Sequence, residues 1–462
     1  LPLKNVFAIM LVLLTASMLA LAFKIQPVKA SGTIYIRPDG SVDPPTAPIQ
    51  RYFGVYTFID NIFDEEIVVQ KSDIIIDGTS ALLQGSGSGI GFSLVDVNNI
   101  TIKNVIIRNY TYGLRLGNSS HNTIIGNSIE NNVTYTSYGI WLSRSSYNNI
   151  SGNMITNNSQ FGIYLEYSDY NNISGNNIKN NHDGLRLGFS NLNSLHSNIV
   201  TNNVYGGYLA ECYNNTISEN NMTDNVSGLY IGWSSYNIIY ENTIADNDWS
   251  GVWVRASSDN RFYHNNIVNN SVHNAYIDEG ENVWDDYAEG NYWSDYAGTD
   301  ANHDGIGEAT YVIDGNNIDN YPLMGSFHSF NTSLGYRVNV ISNSTIEDFE
   351  YFNSNSTIKM YVSNSSATQS FGFCRVSIPK SLIAPPYTVI IDDGLSEILY
   401  FNGTIYDNGT QRWIYFAYEH STHTVEIIPE FPMPLILVML LLTTSLAVIV
   451  LRKIKRVANF IL

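Results

Sequence analysis

Along the middle of the chain, apolar residues come in short runs in which every second position is apolar, and the runs recur at a fixed interval. In Gly162-Ile163-Tyr164-Leu165 this alternation sends Ile163 and Leu165 to one face and Tyr164 to the other, as in an extended strand. A helix would need apolar positions at i, i+3 and i+4, and here they sit at i, i+2. The glycine that opens the run recurs at Gly113, Gly139, Gly162, Gly184, Gly206, Gly228 and Gly251, in steps of 26, 23, 22, 22, 22 and 23 residues. Two more short strands fit into each period, centred on Ile173 and Ile178 in the copy that starts at Gly162. NNISGNMITNN (148–158) and NNISGNNIKNN (171–181) are near-copies, and weaker copies begin at Asn122, Asn193, Asn215, Asn237 and Asn260. Three strands per period of about 22 residues predict stacked coils joined by parallel hydrogen bonds, that is, an all-β, right-handed, single-stranded parallel β-helix.

The polar positions keep the same period. Asn127, Asn153, Asn176, Asn198, Asn220, Asn242 and Asn265 hold one corner of seven successive coils. Asparagine tolerates left-handed backbone angles, and its amide can bond to the asparagine one coil on, so the column is expected to form a structural ladder. A second column runs through Asn122, Asn148, Asn171, Asn193, Asn215, Asn237 and Asn260. After Asn331 the period is lost. Runs such as YRVNVI, TIKMYV, YTVIIDDG and RWIYFAY, separated by Asn, Ser and Gly turns, predict a small antiparallel β-sandwich over 331–428, placed as a stalk. The expected order is a signal peptide (1–30), an N-terminal cap with the first coils (31–97), β-helix repeats (98–282), a C-terminal cap (283–326), the sandwich, and a membrane anchor (429–456).

Both ends are addressed to a membrane. Lys4 and Asn5 precede an apolar run from Val6 to Phe23, and Val28-Lys29-Ala30 before Ser31 has the form of a signal-peptidase site; a retained N-terminal anchor is the alternative. Pro434 to Leu451 is an apolar segment of spanning length, and the Arg452, Lys453, Lys455, Arg456 cluster after it places the C-terminus in the cytoplasm and the rest at the cell surface. More than a dozen N-x-S/T sequons, among them Asn109, Asn172, Asn269, Asn343 and Asn402, fit an exported glycoprotein. The formal net charge of -19 argues against nucleic acid as a partner, because binding it requires a basic face. Cys212 and Cys374 lie in different predicted domains and read as small core residues, not as a disulfide.

The repeats resemble those of the NosD-like parallel β-helix proteins common on archaeal surfaces, distantly akin to the pectate-lyase solenoid. The resemblance takes in GTIYIRPDGSVDPPTAPIQ (32–50) and IVVQKSDIIIDGTSALLQG (67–85). It also takes in the closing segment NYWSDYAGTDANHDGIGEATYVIDGNNIDNYPLM (291–324), and so covers roughly residues 32–324. The tail IIPEFPMPLILVM is similar to archaeal PEF-type C-terminal sorting signals, with Pro429-Glu430-Phe431 as the processing mark; a permanent single-pass anchor accounts equally well for it. The resemblance implies an accessory role in copper delivery. Copper favours His, Met and Cys, of which the outward columns carry almost none, so copper handling is not expected here.

Candidate chemistry lies in three places. The outward residue of the glycine strand reads, coil by coil, Arg115, Trp141, Tyr164, Arg186, Tyr208, Tyr230, Trp253 and Tyr276. Stacked at about 4.8 Å per coil, these eight would form an aromatic strip of roughly 34 Å. Sugar rings stack on such a surface while guanidinium groups hold hydroxyls or carboxylates, so glycans or envelope components are the expected partners; plain stacking between coils is the structural alternative. The segment Asp300-Ala301-Asn302-His303-Asp304-Gly305-Ile306-Gly307-Glu308 alternates oxygen ligands before a glycine, like the first half of a calcium loop, with Asp300, Asn302, Asp304, Ile306 and Glu308 as ligands of a structural Ca²⁺. Tyr311 stands where the twelfth-position glutamate belongs, and no organic cofactor is indicated. Catalysis would need clustered carboxylates. Glu166, Asp183, Glu211, Asp246, Asp248 and Asp259 fall in different columns or lie coils apart, with Asp246 and Asp248 near Arg255 as the best group. The expected function is therefore non-catalytic binding of carbohydrate or envelope components, with a polysaccharide lyase or glycoside hydrolase, or a structural envelope protein, as the competing readings.

Overall fold

The computed structural model describes residues 32–131, 136–365, 369–392, 394–395, 407–419, 421–430 and 450. The predicted signal peptide, PEF segment, membrane span and basic tail lie outside these residues, apart from Pro429, Glu430 and Val450. Among the described residues no helix is long and apolar enough to cross a membrane. The chain divides into two compact units, Leu1–Asn193 and Ser194–Leu462.

In the first unit each coil contributes three strands to three parallel sheets, as the periodicity predicts. The first sheet stacks Gly32–Ile36, Glu65–Val69, Ile90–Val95, Tyr112–Gly117, Tyr138–Ser143, Phe161–Glu166 and Asp183–Gly188. The coil from Gly162 continues through Asn172–Ser174 and Asn177–Lys179, centred on Ile173 and Ile178. Ile163, Leu165, Ile173 and Ile178 are fully buried, so each turn fills the bore with one aliphatic layer. The hairpin Ile49–Tyr52/Val55–Phe58 lies against the second sheet, its latter strand pairing with Ile74–Asp77.

The second unit continues the same coil plan. Its first sheet stacks Tyr205–Ala210, Ser227–Gly232, Ser250–Arg255 and His273–Ile277. The sandwich follows as two antiparallel sheets. One orders Ser326–Asn331, Arg337–Ser342, Phe371–Pro379 and Gln411–Glu419; the other orders Thr345–Phe352, Thr357–Ser363, His423–Pro429, Tyr387–Ile391 and Gly394–Leu395. Their facing side chains, among them Val340, Met360, Val376, Phe416 and Ile427, form a dry core that includes Cys374; both cysteines are free and buried. The sandwich is clamped onto the neighbouring coils. Asn266 bonds both the N–H and the carbonyl of Phe327, whose ring stacks on His264 at 4.0 Å. Arg337 reaches Glu219 and Glu241 at 2.9 and 2.7 Å. The buried Arg375 meets Glu289 at 2.7 Å, and His264 meets the other oxygen of Glu289 at 2.9 Å. Despite burial, this pairing holds the Glu289 carboxyl far below the usual carboxylate range.

The asparagine columns form ladders. Asn153 shows the pattern: its side-chain oxygen accepts from the backbone N–H and the amide of Asn127 (2.9 and 3.0 Å), while its own amide donates to Asn176 (2.9 Å) and to the Ile124 carbonyl (2.9 Å). The second column bonds alike through Asn122, Asn148, Asn171 and Asn193. The backbone reason expected for these asparagines is wrong. The left-handed angle belongs to the residue just before each ladder asparagine: Gly126, Gly152, Gly175, Ser197, Glu219, Glu241 and His264 in one column, and His121, Tyr147, Tyr170, Leu192, Asn214, Tyr236 and Asp259 in the other. The asparagine itself is there for its amide. Two columns escaped the sequence reading. Asn131, Asn158 and Asn181 make a third ladder in the first unit, and Asn203, Asn225 and Asn247 make one of the same kind in the second. Ser119, Ser145, Ser168 and Ser190 make a hydroxyl column, and Cys212 heads its counterpart in the second unit.

These ladders are polar, since each amide donates forward, so the last member needs an acceptor. Asn265 passes its bond to Asn291, and Asn291 donates to Asp319 through its N–H at 2.8 Å and its amide at 3.3 Å. Trp293 Nε1 and the Tyr321 N–H complete the shell around this fully buried carboxyl. The second column ends on Asn317, held by Asp314. Burial outweighs the four donors and lifts the Asp319 carboxyl to about 7. The folded cap therefore binds this proton more tightly than the unfolded chain, and the resulting stabilisation, full below about pH 4, is lost as pH rises through 7. The depressed Glu289 works in the opposite sense, its contribution fading only in acid far below that window. Melting followed at Trp284 and Trp293 should come at lower temperature at pH 8.5 than at pH 5.5, and Asp319→Asn should flatten the difference.

Candidate functional site

The strip residues are in register within each unit. Arg115, Trp141, Tyr164 and Arg186 are successive pairing partners in the first; Tyr208, Tyr230, Trp253 and Tyr276 are in the second. Arg115, Trp141, Tyr164, Arg186, Tyr230 and Trp253 each stand between two buried aliphatic residues of their strand, which forces them outward. The outer face is broader than the sequence suggests. The residue three positions earlier forms a second register column, Tyr112, Tyr138, Phe161 and Asp183 in the first unit and Tyr205, Ser227, Ser250 and His273 in the second, of which Phe161, Asp183, Ser227 and Ser250 are buried. The signal was present in the aromatic residue just before Gly113, Gly139, Gly162 and Gly206, but strand alternation alone assigns it no face.

In the first unit the two columns interlock. Tyr112 stacks on Tyr138 at 4.9 Å and on Trp141 at 5.2 Å, and Phe161 meets Tyr164 at 4.9 Å. Arg115 lies over Trp141, 5.1 Å from the ring centre. In the second unit the rings meet edge to face: Tyr230 with Trp253 at 4.7 Å, and Trp249 with Trp253 at 4.7 Å and Tyr276 at 5.5 Å. Most strip residues are half-buried, but Tyr230 is only 3% exposed, which corrects its expected outward display. Tyr208 at 4.4 Å and Trp253 cover it, and burial pushes its hydroxyl up to about 12. Tyr164 is raised to about 12 by the same cause.

Asp183, one of the carboxylates that lie apart in the sequence, is held inside the floor. It is fully buried in the column held in neighbouring coils by Tyr138 and Phe161, and its two oxygens meet His182 Nδ1 at 2.6 Å and Arg186 Nη1 at 2.8 Å. Arg186 lies over Phe161 at 5.2 Å. The best catalytic group from sequence does not assemble. Arg255 pairs instead with Asp278 at 3.3 Å and lies over Trp233, while Asp246 is a left-handed corner residue, as are Glu211 and Asp259.

The Asp300–Glu308 segment spends its oxygens on its own backbone. Asp300 accepts from the N–H groups of Asp304 and Gly305, Asp304 from that of Ile306, and Glu308 from those of Ala301 and Asn302. Asn302 donates to Asp304 at 3.0 Å, and Ile306 packs with Leu323, Phe327 and Phe373. Burial, aided by Asp304, raises the Asp300 carboxyl. Among the described residues no three His, Cys, Asp or Glu side chains converge to hold a metal. These bonds close the loop as a hydrogen-bonded turn.

Residues 57–226 and 160–298 match the family model described as periplasmic copper-binding protein (NosD), which together covers just over half the chain. The chain belongs to the NosD family. Its curated relatives include the probable ABC transporter binding proteins NosD of Stutzerimonas stutzeri, 40% identical over 62 residues, and of Pseudomonas aeruginosa, 39% identical over 62 residues. Each match spans 13% of this NosD-family chain and 14% of the relative. Among solved structures, it is similar in fold to a periplasmic alginate epimerase (16% identity, 54% of this chain and 71% of the other, TM-score 0.36). It is also similar to DFA-IIIase from Arthrobacter chlorophenolicus (14% identity, 48% and 68%, TM-score 0.41). Cys212 is locked in the serine column, Cys374 and Met360 lie in the sandwich core, and no metal-binding cluster of His and Cys with carboxylates exists among the described residues.

Proposed function

We propose that this NosD-family protein is a cell-surface, non-catalytic binder of carbohydrate, and that the outer face of its first sheet is the contact surface. One observation carries the reading: in each unit aromatic side chains from successive coils line the outer face of the first sheet, in two columns in the first unit and with Trp249 beside the strip in the second, and most stay half-open to solvent. Parallel stacking fixes where each ring lies, so a sugar chain running along the floor would meet a preset row of contacts at low entropic cost. Hydrolysis or lyase chemistry needs two acid–base groups across one bond. The floor offers the buried Asp183, already committed to two donors, and Glu166, which sits at the strand end beside the Tyr164 hydroxyl; neither faces the other across the strip.

Glycan-array binding by the full chain should fall at least 10-fold in Trp141→Ala/Trp253→Ala, because each indole is worth roughly 1–3 kcal/mol at a contact centre. Unchanged binding in the double variant would remove the floor from recognition. Release of reducing or unsaturated sugar would replace binding with catalysis.

A further inference from the structure

The charge on this floor runs against the charge of the chain. In a protein of net charge -19, the strip of the first unit carries two arginines, Arg115 and Arg186, in one register column. Arg115 makes no ion pair among the described residues; its guanidinium lies over Trp141, and its Nε is buried without a protein acceptor. Arg186 is held on two sides, by Asp183 at 2.8 Å and by the face of Phe161 at 5.2 Å, with 27% of its side chain exposed. Asp183 is 0% exposed and so does not face a ligand itself; its role is to set the guanidinium. His182, on the other oxygen of Asp183 at 2.6 Å, has 54% of its side chain exposed beside it. Three coil steps of about 4.8 Å separate the two arginines, or about 14 Å, and Trp141 and Tyr164 fill the interval.

From this we infer that the first unit's floor recognises an acidic polysaccharide, with Arg115 and Arg186 as contact cations for its carboxylate or sulfate groups and Asp183 as a positioning residue. The inference rests on the carbohydrate reading and narrows it. A guanidinium fixed flat beside aromatic rings matches a planar carboxylate better than it matches hydroxyls. The span sets the ligand's size, because a monosaccharide cannot reach both cations. Desolvation at the floor pays off only where the ligand's anions replace the water around the arginines, so neutral chains gain little from them.

The test titrates the full chain with a polyuronate, with its carboxyl-reduced neutral counterpart, and with polyglutamate. Arg115→Gln and Arg186→Gln are the variants, and Arg108→Gln, whose arginine pairs with Glu130 on the third sheet, is the control. The polyuronate should bind best, weaken 10-fold or more in either floor variant, keep its affinity in the control, and lose affinity steeply with salt. Equal binding of the neutral counterpart, or no effect of the arginine changes, overturns the acidic class while leaving carbohydrate binding intact. Polyglutamate binding as tightly as the polyuronate also overturns it, giving the arginines to acidic peptides. Binding of none of the three defeats both readings. Unchanged melting of each variant separates lost contacts from lost folding.

Discussion

Asn153→Ala should destabilise the coils on either side of it by about 3–5 kcal/mol. The substitution removes the oxygen that accepts both the backbone N–H and the amide of Asn127; the amide keeps the Ile102 and Ile125 carbonyls, but the buried N–H is left unpaired, at about 1–3 kcal/mol. It also removes the amide that serves the Ile124 carbonyl and Asn176. No water can replace these partners, since Asn127, Asn153 and Asn176 are each at most 2% exposed. Asn153→Asp should be no better, although it keeps the shape. A carboxylate would accept from Asn127 but turn a negative oxygen toward the Asn176 oxygen and the Ile124 carbonyl. An acid is tolerated only at the ladder's end, where Asp319 meets N–H groups alone. Stacked coils couple chiefly to their neighbours, so the loss should be local. Hydrogen exchange at the Asn127 and Asn153 amides should speed by two or more orders of magnitude. If those amides exchange at the parent rate, the ladder does not hold the coils together.

Gly162→Ala should prove as damaging, through crowding instead of loss. A Cβ at this position would come within 2.6 Å of the Gly184 carbonyl oxygen and 2.7 Å of an Ile178 methyl. Gly139 is in the same position, 2.5 Å from the Gly162 carbonyl. The nearest atom is backbone in the next coil, so no rotamer change relieves the contact, and the two coils must separate. Overpacking of a close-packed core costs about 1–3 kcal/mol, and more where backbone must move. Gly152→Ala offers the contrast. Its φ of +62° strains any other residue, but its Cβ would meet open space, so the cost should stay near 1 kcal/mol. Thermal melting of the three proteins should rank parent, Gly152→Ala and Gly162→Ala in falling order. Equal melting of the two variants would show that close approach is not what the glycine column provides.

Much of the architecture was legible because repetition multiplies weak signals. One G-[IL]-x-[LI] run is ambiguous, but seven at nearly equal steps define the coil, its three strands and the inward faces of Ile163 and Leu165. The arginines and aromatics of the strip were legible for the same reason, because parallel register carries position n onto position n+22. The errors fall where a residue's surroundings matter more than its column. Tyr230 has the alternation of an outward residue, but only its neighbours' ring angles bury it. Asp183 reads as one scattered carboxylate until His182 and Arg186 close on it.

By itself the sequence determined the coil, the ladder positions and the order of side chains along each face, because these follow from period and alternation, which one chain carries in full. Only the tertiary structure decided which polar groups satisfy one another, where the ladders end on Asp319 and Asn317, how the sandwich clamps the coils, and that two arginines stand fixed on an aromatic floor. Those outcomes depend on distances between residues remote in the chain, and hydrogen bonds and ion pairs lose their meaning within about an ångström of misplacement.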